Sequence, residues 1–277
     1  MREMRAFVTG GAGVIGRELV SRLIESGDSV SVCDRVEKPS WMPSEAEYIQ
    51  ADVNTLTVLP SCDQVYHLAA SFERLGESPE HWMKNWDDNV QGAHHVFSMC
   101  VRAGVRVVFA SSYLVYGNYP NVMLDPRNLT GAAKLYSEKE LEYLGKVHGL
   151  KYAIARIYRV YGRGSKDVIS SWARAALRKE QVRAYTLDNK FDFIHARDVA
   201  RILSILPDGV HHVGTGRMTR ISSVLEIFKI SIEKFPLNID FKEKGEREFA
   251  FTQAKESGCT LIERGVREII EYERGLL

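Results

Sequence analysis

Residues 8–16, VTGGAGVIG, restrict the possible folds of this chain more than any other stretch. They follow an apolar run, RAFVT (5–9), and open a segment with helical spacing, GRELVSRLIESG (16–27). The glycines fall at the spacings GxGxxG and GxxGxxG: Gly10, Gly11, Gly13 and Gly16. Glycine permits a tight turn and lets backbone N–H groups approach a phosphate at the positive end of a helix. The stretch therefore predicts a strand–turn–helix unit that binds a pyrophosphate; a glycine-rich turn that binds nothing is the alternative.

An acidic residue at the end of the next predicted strand indicates which dinucleotide binds. The strand SVSVC (29–33) is followed by Asp34, whose carboxylate accepts hydrogen bonds from both hydroxyls of a ribose. The same charge repels a 2′-phosphate, so NAD is favoured over NADP as the cofactor. Arg35 follows directly and softens that preference. We expect these elements to hold NAD through Gly10, Gly13, Val14, Ile15, Gly16, Asp34 and Arg35.

Short apolar runs alternate with amphipathic segments through the first half of the chain. Further strands are predicted at EYIQA (47–51), QVYHLA (64–69), RVVFAS (106–111) and KYAIAR (151–156), with a helix over 89–104. This alternation is typical of an α/β fold in which helices cover a Rossmann-type doubly wound parallel sheet. After about residue 160 the pattern is less regular, with helices predicted near 168–179, 196–206, 221–235 and 262–274.

The two patterns divide the chain into two parts. Residues 1–160 are predicted to form an NAD-binding Rossmann domain, and residues 161–277 a smaller C-terminal substrate-binding lobe. Some crossing of the chain between the parts is expected, with residues 182–200 returning to the core.

Charge and composition argue against several classes of binding partner. The chain has 37 basic and 36 acidic residues, and this balance provides no electrostatic argument for a nucleic-acid or membrane partner. No apolar run approaches the roughly 20 residues that cross a bilayer, and the N-terminus lacks the features of a signal peptide. The four cysteines form no CxxC pair and the histidines show no metal-ligand spacing. We therefore expect reduced thiols, a cytoplasmic location and no metal.

Further motifs follow the glycine turn in a fixed order. They are AD (51–52), HLAA (67–70), NVQG (89–92), SSYLVYG (111–117), TGAAK (130–134), ARIYRVYG (155–162) and FDFIHARDVA (191–200). Together with the glycine turn they resemble the motifs of the extended short-chain dehydrogenase/reductases, the NAD-dependent sugar-nucleotide epimerases and dehydratases. The resemblance covers most of the chain and implies a nucleotide sugar as the substrate, with hydride transfer between a sugar carbon and NAD.

The resemblance also implies roles for particular residues. It implies further cofactor contacts at Asp52, Val53, Leu68, Ala69, Ala70, Asn89, Ser111 and Lys134. Ser112 stands in the position of the catalytic serine, which hydrogen-bonds the reacting oxygen. Lys134 stands where the family's lysine lowers the pKa of a catalytic tyrosine and holds the nicotinamide ribose.

Thr130 occupies the position of that tyrosine. A threonine alkoxide at neutral pH needs a pKa shift far beyond the roughly 3–5 units that proteins achieve, so Thr130 is not an adequate base. Tyr113, directly after Ser112, is a candidate substitute acid or base; the alternative is that it forms an aromatic wall of the pocket. The 4,6-dehydratases carry an Asp–Glu pair where Tyr113 and Leu114 stand, which argues against that elimination.

The motifs of the second half depart from the family as well. Arg159 and Arg163 replace an asparagine and a proline, and Phe191 replaces an arginine that commonly meets a nucleotide diphosphate. Glu243 stands where the family has a second phosphate arginine. We predict that Tyr113, Arg159, Phe191 and Arg163 contact the substrate, with the arginines rebuilding an anion site. Ordinary solvated surface charge is the alternative.

The cofactor motifs are therefore retained, whereas the base and the phosphate contacts have changed. The leading hypothesis is an NAD-dependent, epimerase-like enzyme with non-standard proton handling. The alternatives are an NAD-binding family member with little redox activity, serving as a sensor or partner subunit, and a Thr130 introduced to trap a substrate complex. Family members commonly pair through the helices carrying Asn89 and Lys134, so a homodimer is expected. The apolar residues of these helices lie either in the dimer interface or in the core: Val90, Phe97, Val101, Leu135, Leu141 and Leu144.

Overall fold

The computed structural model of the protein describes residues 3–71, 78–117, 123–185, 187–232, 240–242, 252–255 and 257–277. The strands in these ranges are β1 (Arg5–Thr9), β2 (Ser29–Asp34), β3 (Glu47–Gln50), β4 (Gln64–His67), β5 (Arg106–Ser112), β6 (Tyr152–Ile157), β7 (Arg159–Tyr161), β8 (Arg183–Tyr185), β9 (Lys190–His195), β10 (Gly209–Val213), β11 (Met218–Arg220) and β12 (Asp240–Lys242). The helices are α1 (Val14–Glu25), α2 (Pro79–Asn85), α3 (Gly92–Ala103), α4 (Leu129–His148), α5 (Val168–Leu177), α6 (Ala196–Leu203), α7 (Ile221–Ser231) and α8 (Ile262–Arg274). A π-helical turn, Trp86–Gln91, joins α2 to α3.

A seven-stranded sheet with the order β10-β6-β5-β4-β1-β2-β3 organises the first of two compact units. Every neighbouring pair from β6 to β3 is parallel. Consecutive residues of β1 and β4 are buried, which requires cover on both faces of the sheet. Because parallel strands end at the same edge, Thr9, Asp34, His67 and Ser112 share the carboxyl edge of this sheet. That edge is where ligands bind in doubly wound folds.

Helix α4 carries the motif TGAAK along the first unit. The Asn128 side chain caps its N-terminus by accepting a hydrogen bond of 2.8 Å from the backbone N–H of Gly131. Its C-terminus ends at Gly149, which adopts φ = 69°, a left-handed conformation that favours glycine. The capped start fixes Thr130 and Lys134 in the first two turns, one above the other on the helix.

The second unit has a core of its own. A three-stranded sheet, β11-β9-β7, pairs β7 in parallel and β11 in antiparallel with the central β9. Phe191 and Phe193 of β9 pack in one apolar cluster with residues of α5, α7 and α8, such as Trp172 and Phe228. Strand β12 pairs separately with β8.

The division of the chain differs in detail from the prediction. The first unit comprises Met1–Gly117, Met123–Ile157 and Ala200–His211, so its main boundary lies a few residues before residue 160. The segment that returns to it is Ala200–His211 and not 182–200. The reason is pairing: β9 is the central strand of the second unit's sheet, whereas β10 extends the large sheet next to β6.

Two kinds of feature are absent from the ranges given above. No helix in them combines the length and the apolar character needed to cross a membrane. They also hold no group of three or more His, Cys, Asp or Glu side chains placed to bind a metal ion.

Candidate active site

The glycine turn between β1 and α1 packs tightly against the loop that follows β4. Gly10 adopts φ = 71° and donates a backbone hydrogen bond of 2.8 Å to the carbonyl of Cys33. A Cβ at Gly10 would lie 2.6 Å from the backbone nitrogen of Ala69, and one at Gly16 would lie 2.5 Å from the carbonyl oxygen of Gly10. Both positions therefore exclude any side chain, because the neighbouring atoms belong to the backbone.

The start of α1 is open to an anion. Gly13, which precedes the first helical residue Val14, is exposed, and no side chain caps the N–H groups of the first turn. No acidic side chain lies in that turn either. The uncapped N–H groups and the positive end of the helix dipole fit a pyrophosphate placed over Gly13.

Asp34 lies where the predicted ribose acceptor should be. One of its carboxylate oxygens accepts a hydrogen bond of 3.0 Å from the backbone N–H of Ala12, which ties the end of β2 to the glycine turn. Arg35 points to other carboxylates: its guanidinium lies 2.8 Å from Asp88 Oδ1 and 3.5 Å from Asp52 Oδ2. Burial raises the pKa of Asp88, but hydrogen bonds from Arg35 and Lys84 outweigh it and hold this pKa below its usual range. Because Asp88 and Asp52 already balance the charge of Arg35, this arginine is not available to attract a 2′-phosphate. The carboxylate of Asp34 therefore still favours NAD over NADP.

The predicted cofactor segment after β4 is held by buried polar contacts. Leu68 donates a backbone hydrogen bond of 3.0 Å to the carbonyl of Thr9, and Ala69 donates one of 3.4 Å to the Thr9 hydroxyl. His67 is fully buried, and its Nδ1 lies 2.7 Å from the Thr9 oxygen. Burial, reinforced by the charge of Lys134, lowers the pKa of His67 to about 3. His67 is therefore neutral, and the hydrogen bond between its Nδ1 and the Thr9 hydroxyl fixes the segment against the glycine turn.

The side chain of Asn89 holds the segment that follows β4. Its Oδ1 accepts a hydrogen bond of 2.9 Å from the backbone N–H of Ser71, and its Nδ2 donates one of 3.0 Å to the Ser71 carbonyl. Both polar atoms of the amide are thereby used within the protein. Asn89 lies in the π-helical turn, and its buried amide positions the loop that follows Ala70.

Lys134 is the cation at the centre of the site. Its side chain is 5 % exposed, and its Nζ lies 4.6 Å from the centre of the Phe109 ring. Among the residues that the structure describes, none forms a hydrogen bond or salt bridge with this ammonium group. Burial lowers the pKa of Lys134 to about 8, and Glu138, one turn further along α4, opposes this shift. A buried ammonium with unused donors is suited to hold hydroxyl groups of a ligand.

A buried ion pair next to Lys134 was not predicted. Arg156 of β6 forms a two-point pair with Glu138, with the closest nitrogen and oxygen 2.6 Å apart. Ser111 donates its hydroxyl hydrogen bond to the same carboxylate, and Arg156 contacts the Tyr116 hydroxyl at 2.6 Å. The side chain of Ser111 is therefore engaged by Glu138, and its contact with the cofactor stays a prediction. Glu138 and Arg156 lie on different elements, α4 and β6, so no local pattern in the sequence signals their pairing.

Thr130 is buried on α4 and cannot take over the role of the tyrosine that the family resemblance places at this position. Its side chain is 8 % exposed, and its hydroxyl oxygen accepts a hydrogen bond of 3.4 Å from Nδ2 of the buried Asn85. The adjacent Gly131 packs directly on the backbone, since a Cβ there would lie 2.1 Å from the carbonyl oxygen of Leu114. Thr130 therefore holds the start of α4 against α2 and offers no group of suitable pKa.

Ser112 and Tyr113 follow directly at the end of β5. The Ser112 hydroxyl oxygen accepts a hydrogen bond of 3.2 Å from the backbone N–H of Leu114, an arrangement that leaves its hydrogen to be donated elsewhere. Tyr113 opens a 3₁₀ turn and is half-buried. Both residues therefore lie at the carboxyl edge of the large sheet.

The remaining substrate residues lie in the second unit. Arg159 is half-buried on β7, and its guanidinium carbon lies 4.2 Å from the centre of the Phe191 ring. Phe191 is 5 % exposed and belongs to the apolar cluster, and its ring also contacts Arg159. Its contact with a substrate stays a prediction. Arg163 is half-buried in the loop after β7. Glu243 lies outside the described residues.

The first unit has the features of a dinucleotide-dependent enzyme of the Rossmann class. Its parallel sheet carries a glycine turn that admits no side chain and a β2 strand that ends in Asp34, and Lys134 is buried on α4. The chain belongs to the NAD dependent epimerase/dehydratase family, whose model matches residues 6–218. NAD is therefore its cofactor, and the fold class and family expected from the sequence are confirmed.

Individual relatives agree with this assignment. A putative UDP-glucose 4-epimerase of Methanocaldococcus jannaschii is 30% identical over 250 residues, which cover 81% of each chain. UDP-glucuronic acid decarboxylase 2 of Arabidopsis thaliana is 32% identical over 292 residues, 91% of this chain and 63% of that protein. Among solved structures, UDP-glucose 4-epimerase of Thermotoga maritima with UDP-glucose superposes with a TM-score of 0.89 at 25% identity, covering 99% of both chains.

Proposed function

We propose that the protein transfers hydride at a sugar carbon of a nucleotide sugar, as an epimerase does, with proton handling that does not use a tyrosine on α4. The observation that carries the proposal is Lys134, a buried ammonium group without a hydrogen-bonding partner among the described residues. The names of the relatives, UDP-glucose 4-epimerase and UDP-glucuronic acid decarboxylase, support a nucleotide sugar as the class of substrate.

The cofactor end of the mechanism follows from the first unit. Bound NAD supplies a ring that accepts and returns a hydride. In this proposal Gly10, Gly13 and Gly16 admit the pyrophosphate to the start of α1, and Asp34 accepts the hydroxyls of the adenosine ribose. Lys134 donates to the nicotinamide ribose, and its charge remains unneutralised because Glu138 is already paired with Arg156.

The substrate end uses the edge of β5. Ser112 donates its hydroxyl hydrogen to the sugar oxygen that reacts, since its oxygen already accepts from Leu114. Thr130 keeps the role described above and takes no part in proton transfer. Tyr113, adjacent to Ser112, carries the proton, and a general acid or base of this kind contributes about 10²–10⁴-fold to the rate. The alternative is that Tyr113 forms an aromatic wall of the pocket.

Replacing Tyr113 with phenylalanine tests the proposal. With NAD and a panel of UDP-sugars, we expect Tyr113→Phe to lower kcat by about 10²–10⁴-fold with little change in KM. The matched control is Tyr152→Phe, which removes a hydroxyl from a half-buried tyrosine at the start of β6 and leaves kcat unchanged. Equal kcat in the native protein and Tyr113→Phe would show that another group carries the proton.

The second candidate function is an NAD-binding protein with little redox activity. The observation that favours it is Thr130, whose hydroxyl is engaged by Asn85 and cannot act as a base at neutral pH. The variant Thr130→Tyr separates the candidates on the same panel of UDP-sugars. Turnover that appears only in Thr130→Tyr supports the non-redox candidate, whereas turnover by the native protein supports the enzyme.

We also propose a homodimer formed through α2, the π-helical turn and α4. Val90, Phe97 and Leu141 are buried within the unit itself and do not form a seam. The same helices instead expose a different apolar set: Met83, Trp86, Tyr136, Tyr143 and Val147. The rings of Trp86 and Tyr136 lie 5.9 Å apart, which makes one continuous aromatic surface. If two copies of the protein pack these surfaces against each other, they form an isologous interface, in which both copies contribute the same residues.

Sedimentation velocity tests the dimer. We expect Trp86→Glu to convert a dimer into a monomer at micromolar concentration, because a charge is placed in an apolar interface. The control is Ile230→Glu, which alters an exposed apolar residue on α7 of the second unit and should leave the dimer intact. A native protein that sediments as a monomer contradicts the proposal directly.

A cytoplasmic location is proposed on the state of the cysteines. Cys33, Cys62 and Cys100 are buried free thiols, and Cys259 is half-buried and also unbridged. Burial raises the pKa of Cys33 and Cys62 to about 11, so these thiols are inert packing groups. Reduced, unreactive cysteines of this kind suit a reducing compartment.

A further inference from the structure

We propose that Asp88 is a positioning residue that sets the choice between NAD and NADP by holding Arg35, which would otherwise be available to the 2′-phosphate of NADP. The inference rests on the NAD site described above and is independent of the proposed sugar substrate. Asp88 lies in the π-helical turn, and its side chain is 7 % exposed. Its Oδ1 accepts a hydrogen bond of 2.8 Å from Arg35, and its Oδ2 accepts one from Lys84.

Neighbouring contacts hold the π-helical turn and Arg35 together. The side-chain amide of Asn54 donates a hydrogen bond of 3.2 Å to the carbonyl of Asp87, which ties the turn to the segment after β3. In that segment Oδ1 of Asp52 accepts a hydrogen bond of 2.9 Å from the backbone N–H of Asn54, and its Oδ2 lies 3.5 Å from Arg35. Two carboxylates, each with a second contact of its own, therefore engage the guanidinium of Arg35.

The charges beside the end of β2 explain how this arrangement affects the cofactor. NADP differs from NAD by a phosphate on a hydroxyl of the adenosine ribose, the group that Asp34 is predicted to accept. Arg35 follows Asp34 directly, and a free guanidinium there could bind that phosphate with its planar fork. The group instead has two cations and three carboxylates, so its net charge is negative: Arg35, Lys84, Asp34, Asp52 and Asp88.

Removing the charge of Asp88 changes this balance with little change of shape. Asparagine is nearly isosteric with aspartate and keeps one oxygen as an acceptor. Among the described residues, Asp52 would then be the one carboxylate within salt-bridge distance of Arg35. The side chain of Arg35 is 48 % exposed, so its released donors can reach a ligand. Rejection of NADP thus depends on Asp88 as well as on the acidic end of β2.

Calorimetry with NAD and with NADP on the native protein and on Asp88→Asn tests the inference. We expect the variant to bind NADP about tenfold more tightly than the native protein does, with the affinity for NAD changed less than twofold. NAD should remain the tighter ligand, because Asp34 is unchanged. Added salt should reduce the gain, since the new contact joins an exposed cation and a phosphate.

Two further variants separate the release of Arg35 from a general effect of charge. Asp63→Asn is the matched control, because it also removes a carboxylate from an ion pair with an arginine. That partner, Arg5, begins β1 at the opposite edge of the large sheet, so both cofactor affinities should stay native. The double variant Asp88→Asn, Arg35→Met should lose the gain for NADP, because the released cation is gone.

Retained NAD binding and an unchanged circular dichroism spectrum show that each variant is folded, and Asp88→Ser carries the test if Asp88→Asn is not. A folded variant that binds NADP no more tightly than the native protein overturns the inference. An equal gain for both cofactors also overturns it, as does a gain that survives in the double variant. A native protein that binds NADP as tightly as NAD leaves no rejection for Asp88 to cause, and it too overturns the inference. Each of these results leaves the proposed sugar substrate unaffected.

Discussion

Replacing Arg156 with methionine is expected to lower the free energy of unfolding by about 3–5 kcal/mol, the loss typical of a buried ion pair that loses one partner. Glu138 is completely buried and Arg156 is 8 % exposed, so solvent cannot replace the missing guanidinium. Among the described residues, Ser111 alone would still donate a hydrogen bond to the carboxylate. The hydroxyl of Tyr116 would lose its contact with Arg156 at the same time.

Urea denaturation followed by circular dichroism measures this loss. The double variant Glu138→Gln, Arg156→Met removes both charges and should recover much of the stability, because no buried charge is left uncompensated. Arg5→Met is the control: Arg5 also pairs with a carboxylate, Asp63, but in an exposed position, so the urea midpoint should scarcely move. A similar midpoint for Arg156→Met and Arg5→Met would mean that the buried pair contributes little to the fold.

The same ion pair connects stability to the chemistry. Glu138 and Lys134 are separated by one turn of α4, and Ser111 directly precedes the catalytic serine position at Ser112. Arg156 therefore joins β6, the end of β5 and α4 in one polar cluster beneath the site. By neutralising Glu138, it prevents this carboxylate from forming a salt bridge with Lys134, which keeps the ammonium group available to a ligand.

Local sequence predicted β1, the glycine turn and α1 because each of them depends on neighbouring residues. The strand RAFVT is β1 with the predicted bounds, and the glycine turn adopts the close backbone packing that its spacing requires. The last helix, 262–274, also has the predicted bounds. Short-range rules on turns, periodicity and helix starts apply to such elements directly.

Contacts between distant residues could not be predicted in the same way. The pairing of Glu138 with Arg156 depends on the register between α4 and β6, which one sequence does not reveal. The amide of Asn89 is used by Ser71, although the motif alone suggested a contact with the cofactor. The packing of Phe191 in the apolar cluster depends on how β9 lies against α5, α7 and α8. In each case the tertiary environment determined which partner a side chain meets.

Replacing Lys134 with methionine is expected to lower activity and raise stability together. Without its ammonium group the variant loses the proposed contact with the nicotinamide ribose, so kcat should fall by about 10²–10⁴-fold. Burial lowers the pKa of Lys134 to about 8 in the folded protein, from about 10.5 in the unfolded chain. The folded state thus disfavours the charged form, and removing the charge should stabilise the protein by about 2–4 kcal/mol at pH 7.

The pH dependence distinguishes this explanation from a general effect of the substitution. Between pH 8 and pH 10 the unfolded chain keeps the Lys134 proton while the folded protein releases it, so native stability should rise with pH across this window. Lys134→Met should lack that rise, and Lys139→Met, at an exposed position of α4, should retain it. Urea midpoints measured at pH 7, 8, 9 and 10 for the three proteins provide the comparison. Parallel profiles for the native protein and Lys134→Met would show that the ammonium group is already solvated or paired, and the case for Lys134 as a ligand-holding cation would then fail.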